Sequence, residues 1–127
     1  MTLPNRPLYH ALIRTHHITS RTKVAKLKAA AKKLNCYVLL KSGGWPGLMY
    51  VESDSKEGTT DWVDTVHDLR YKDYQLIAPP LPAAPTVVPF RERGILRELD
   101  TVKGFAVEME SKGLLQWWRI AMDYEHS

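Results

Sequence analysis

The feature that most constrains this chain is a pair of short, nearly all-apolar runs, residues 36–41 (CYVLLK) and 48–53 (LMYVES), split by Ser42-Gly43-Gly44-Trp45-Pro46-Gly47. Each run has strand length, and two glycines with a Pro-Gly pair break any regular element between them. Together they predict a hairpin with a long loop, its 36–41 strand in the middle of a sheet.

The flanks complete a unit. Residues 7–18 alternate through Tyr9, Leu12, Ile13 and Ile18 and read as a first strand. Ser20 offers an N-cap for a helix over 21–34, with Val24, Leu27, Ala31 and Leu34 on one stripe and lysines around the rest. Asn35 can end that helix in the left-handed conformation. Thr59 or Thr60 would cap a second helix over 61–69, turning Trp62, Val66 and Leu69 inward with Val63 beside them. Residues 73–78 read as a fourth strand, stopped by Pro79 and Pro80. The order β-α-β-β-α-β predicts an α+β, ferredoxin-like sandwich with core 7–78, its two helices covering one face of a four-stranded antiparallel sheet.

Residues 79–89 hold five of the eight prolines, so 79–94 reads as an extended connector rather than a helix or inner strand. Beyond it, Ile95, Leu99, Val102, Ala106 and Met109 recur at helical spacing and predict a helix over 95–112, ended by Gly113. A last helix over 114–124 carries Leu114, Trp117, Trp118, Ala121 and Met122. Neither helix can stand alone, so both are expected to dock on the first unit with the Trp pair as core anchors, making residues 1–127 one domain.

Charge is segregated. Residues 1–51 contain nine basic side chains (Arg6, Arg14, Arg21, Lys23, Lys26, Lys28, Lys32, Lys33 and Lys41) and no acid; the remainder holds nine basic and all fourteen acidic ones. Such clustering favours a polyanionic partner. Catalysis is not expected. His16 and His17, read as neighbours on a strand, point to opposite faces and cannot share a metal ion. The glycine loop lacks the Lys-Ser/Thr pair and following helix of a nucleotide-hydrolase phosphate loop. No cofactor is expected. The lone Cys36 excludes an internal disulfide and reads as a small buried hydrophobe. No signal peptide and no membrane span is visible, so an intracellular protein without membrane contact is expected.

Single-stranded RNA is held by cationic grooves and by rings that stack on bases. The candidates are Arg14, His16 and His17 on the first strand, Lys41 on the second, Gly44 and Trp45 in the loop, and Tyr50 on the third. The third strand lacks the aromatic-rich signature of RNA-recognition motifs.

The run His16-His17-Ile18, the Lys-rich helix and Gly44-Trp45-Pro46-Gly47-Leu48-Met49-Tyr50-Val51-Glu52 resemble one family. It is the carboxy-terminal domain of the U4/U6 small nuclear ribonucleoprotein pre-mRNA processing factor 3, which also follows an RWD domain in some RWD-domain-containing proteins. Trp62, Leu69-Arg70-Tyr71-Lys72, Glu98-Leu99-Asp100 and Lys112-Gly113-Leu114 continue the likeness along nearly the whole chain. The resemblance implies a ferredoxin-like core with added helices that grips single-stranded RNA, possible small nuclear RNA included, beside ribonucleoprotein proteins in the nucleus. It implies RNA contact by His16, His17, Lys41, Gly44, Trp45 and Tyr50, with Lys23 and Arg70 on the phosphates. The alternative expectation is a protein-interaction scaffold using the C-terminal helices or the proline-rich connector.

Overall fold

The computed structural model describes residues 7–124; Arg6 of the basic stretch lies outside them. The two apolar runs form β2 (Tyr37–Lys41) and β3 (Gly47–Ser53), an antiparallel pair with Leu39 opposite Tyr50. On the other side of β3 lies β1 (Tyr9–Thr15), also antiparallel, with β4 (Gln75–Pro82) outside it. Helices α1 (Arg21–Lys33) and α2 (Lys56–Asp68) pack on one face. The four strands adjoin in the order β4-β1-β3-β2, an α+β arrangement compatible with a ferredoxin-like fold.

Local chemistry sets the boundaries. Ser20 caps α1 by accepting from Lys23 N at 3.2 Å, and Asn35 adopts the expected positive φ of 54°. Helix α2 starts a turn earlier than Thr59, because Ser55 caps it through Gly58 N at 3.0 Å. Buried Thr59 instead bonds Ser53 Oγ at 2.7 Å. Strand β4 runs on through Pro79, Pro80 and Pro82, which an edge strand tolerates because its outer N–H groups have no ladder partner to lose.

The stretch read as one helix over 95–112 is two elements. Ile95–Leu99 forms β5, parallel to β2 and extending the sheet to five strands, and only Val102–Ser111 is helical, as α3. Thr101 caps α3 through Gly104 N at 2.9 Å, which separates the two. The outer edge of β2 needs backbone partners, and that requirement overrides a periodicity both structures satisfy.

A second core fills the opposite sheet face. Leu12, Tyr37, Leu39, Leu48 and Tyr50 meet Phe105 and Met109 of α3, and Leu114, Trp118 and Met122 in and around α4 (Leu115–Ala121). The connector adds Phe90, stacked on Tyr37 with ring centroids 4.0 Å apart. The sheet is therefore covered on both sides. Cys36 is buried against the first core, which pushes its thiol up to about 11 and leaves it a hydrophobe. Among the described residues, no helix is long and apolar enough to cross a membrane.

Candidate functional site

Side chains alternate across a strand, so the residues of β3 divide between two interiors. Met49 and Val51 face α1 and α2; Leu48 and Tyr50 face α3 and α4. Tyr50 is fully buried and does not offer a ring to a base, which corrects its reading as a contact residue. Its hydroxyl donates to Glu52 Oε1 at 2.9 Å and meets His10 Nδ1 at 3.1 Å, and the His10 ring stacks on Trp117 at 4.2 Å. Glu52 Oε2 accepts from Phe90 N at 2.9 Å and from Arg93 Nη1 at 3.1 Å. This buried chain fastens the connector and the last helices to the sheet. Burial raises the Glu52 carboxyl above its usual range, opposed by these bonds, and lowers His10 to about 4.

Lys41 also departs from its expected role. Only 3% exposed, it donates from Nζ to the carbonyls of Gly43 at 2.8 Å, Pro46 at 2.9 Å and Gly44 at 3.4 Å. All three ammonium donors are spent inside the glycine loop, which suits a point charge closing a turn. Burial pulls its pKa below the ordinary lysine value, with Asp100 partly opposing. Gly43 and Gly44 have φ of 76° and 69°, the region glycine supplies without a steric penalty.

The loop so closed holds Trp45 outward, 64% exposed. Trp45 borders a cleft of about 450 Å³ with Arg14, Thr15, Asp73, Tyr74 and Gln75, at the end of the sheet where β1 stops and β4 begins. Register places Gln75 opposite Arg14, and Gln75 Oε1 accepts from Arg14 Nε at 3.2 Å and Nη2 at 2.6 Å. That leaves Arg14 Nη1 and the Gln75 amide nitrogen as donors without a partner in this pair.

His16 and His17 lie just beyond β1, so strand alternation does not separate them. Their rings are 4.2 Å apart. His16 N donates to Lys72 O at 2.9 Å, and His16 Nδ1 is 3.2 Å from Asp73 Oδ2. The adjoining turn carries Arg70 and Asp73, both at φ 56°. Lys23 Nζ sits 4.8 Å above the ring of Tyr71, next in sequence to Arg70. Among the described residues, no group of three or more His, Cys, Asp or Glu is placed to hold a metal ion.

Seven of the nine anticipated residues thus belong to one end of the molecule: Arg14, His16, His17, Gly44 and Trp45, with Arg70 on the adjoining turn and Lys23 reaching it from the first turn of α1. Sequence reasoning missed Lys72, Asp73, Tyr74 and Gln75. The available signal was the pairing of β1 with β4, which sets Gln75 against Arg14. The basic stretch does not form one groove. Arg21 and Lys28 are paired with Glu98 at 2.8 and 3.3 Å, while Lys26, Lys32 and Lys33 stand exposed on α1. No family model matches the chain, and no curated protein matches it.

Proposed function

We propose that this chain is a non-catalytic, single-stranded RNA-binding module of ferredoxin-like fold, acting in the nucleus with a small nuclear RNA, as the splicing-factor resemblance implies. The carrying observation is the exposed Trp45 ring beside Arg14 in the cleft at the end of the sheet. A stacking ring next to a guanidinium suits a base and its phosphate, and His16, His17, Arg70 and Lys72 border the same end. RNA is held here through loop and turn residues, because the sheet face is occupied by α3, α4 and Phe90.

The test is fluorescence anisotropy of short single-stranded oligouridine at low salt. Trp45→Ala is expected to weaken binding about fivefold or more, since a stacked base contributes roughly 1–3 kcal/mol. Lys32→Ala, exposed in the last turn of α1 and away from the cleft, should leave affinity unchanged. No binding by the wild-type protein at low salt ends the reading.

A second reading, a protein-interaction scaffold, has its own observation. Val107, Ile120 and Tyr124 are exposed around the outer faces of α3 and α4, where a cleft of about 390 Å³ opens over Trp118. Trp117 and Trp118 themselves face inward, so docking would use the exposed apolar side chains and not the Trp pair. A protein partner retained after nuclease treatment and lost in Val107→Asp would favour this reading over RNA.

A further inference from the structure

Helices α1 and α2 lie side by side and run antiparallel. The Trp62 indole Nε1 donates to Leu27 O at 3.2 Å at mid-length, Leu34 O adjoins Gly58 at one end, and Lys23 covers Tyr71 at the other. Their outer surfaces carry opposite charge. On α1, Thr22, Ala25, Lys26, Ala29, Lys32 and Lys33 are exposed, with no acid along the helix. On α2, Glu57, Asp61, Asp64 and Asp68 are exposed at spacings of four, three and four, which aligns them in one stripe. Lys56 and His67 are the basic residues of α2, and His67 lies 3.8 Å from Asp68. Among the described residues, no ion pair joins the lysines of α1 to the acids of α2 within the molecule.

We propose that this helical face is the contact between two copies of the chain in a weak, salt-sensitive twofold dimer. A twofold axis parallel to the helices keeps each residue at its own level and exchanges the two columns, so α1 of one copy lies on α2 of the other. The intramolecular contacts then set the intermolecular register. Lys23 comes level with the partner's Asp68, Lys26 with the partner's Asp61 and Asp64, and Lys33 with the partner's Glu57. Positive meets negative along both columns, and the stacked helices are antiparallel, so their dipoles also agree. Ala25 and Ala29 leave the crest of α1 low enough for close approach.

A second copy fits better than a polyanion, because a polyanion crossing this face would meet the acidic stripe of α2. It also fits better than an unrelated helix, because the copy presents both signs at matching levels. The contact is small. Two helices about 20 Å long and about 10 Å wide offer roughly 400 Å² per copy, in the range of transient association.

Sedimentation of the full chain without nucleic acid, at about 50 mM salt and up to about 1 mM protein, should show a dimer fraction that grows with concentration and vanishes near about 500 mM salt. Asp61→Lys with Asp64→Lys should be monomeric, as should Lys26→Glu with Lys33→Glu, each folded by circular dichroism. Mixing the two variants should restore a mixed dimer, which loss of stability alone cannot produce. Should a reversal variant misfold, Asp64→Asn and Lys33→Gln should each weaken the dimer several-fold. A wild-type protein monomeric throughout, a dimer indifferent to these changes, or variants that fail to pair overturns the proposal. Oligouridine binding through Trp45 does not depend on any of these outcomes.

Discussion

Two residues carry tests of their own. Arg70 follows the end of α2 at φ 56°, where the left-handed conformation costs a side-chain-bearing residue roughly 1–2 kcal/mol and glycine little. If Arg70 serves RNA, its position is a compromise of stability for binding. Arg70→Gly is therefore expected to raise stability by up to about 1 kcal/mol in chemical denaturation while weakening oligouridine binding several-fold. Unchanged affinity would place Arg70 outside the interface. His10 reports on the buried network. Its folded pKa is lowered to about 4 from 6.5, so the unfolded chain takes up a proton that the native state refuses. Stability must then fall as pH drops from about 6.5 toward 4, by about 3 kcal/mol for this group. Glu52, raised by burial, acts in the opposite sense over the acid range. Since both proteins contain it, comparing wild type with His10→Phe largely isolates the histidine, and the variant should show the flatter profile. Equal slopes would mean that His10 is protonated in the fold.

Among the elements, the C-terminal pair is an integral half of the interior. Phe105, Met109, Leu114, Trp118 and Met122 bury side chains worth roughly 1.5–3 kcal/mol each. Their sum, on the order of 10 kcal/mol, rivals the whole stability of an ordinary domain. A chain ended after residue 100 should lose its cooperative thermal transition and bind a hydrophobic dye; a cooperative, dye-free product would make the pair a dispensable cap. The sequence already held the clue. CYVLLK and LMYV are continuous apolar runs, and strands with one wet face alternate instead. The run 36–41 reads correctly as central, yet Tyr50 on its partner strand is expected from the sequence at a wet surface. The hairpin, Ser20, Asn35 and the two core helices were legible because local signals coincide there with tertiary need. Strand β5 was not, because Ile95, Leu99 and Val102 fit helical spacing and only the vacant edge of β2 selects a strand. The roles of Lys41 and Gln75 depend on loop closure and strand register, which spacing alone does not encode.

Across the whole molecule, linear charge segregation does not become one basic surface. The fold pairs Arg21 and Lys28 with Glu98, spends Lys41 inside a loop, lays Lys23 on Tyr71 and sets the remaining α1 lysines beside an acidic stripe. What remains at the sheet end is Arg14 in the cleft, with Arg70 and Lys72 on the neighbouring turn and Lys23 at the margin. This distinction is measurable through counterion release, since for a single strand the logarithmic salt slope is about −0.7 per neutralised phosphate. Engagement of all nine cations of the opening stretch would give a slope near −6, whereas three or four at the cleft give about −2 to −3. Oligouridine affinity measured at several salt concentrations should follow the shallower line, and Arg14→Gln should flatten it by somewhat under one unit. A slope near −6 would mean that RNA spreads over α1 despite the acids of α2, and the site would have to move from the sheet end to the helical face.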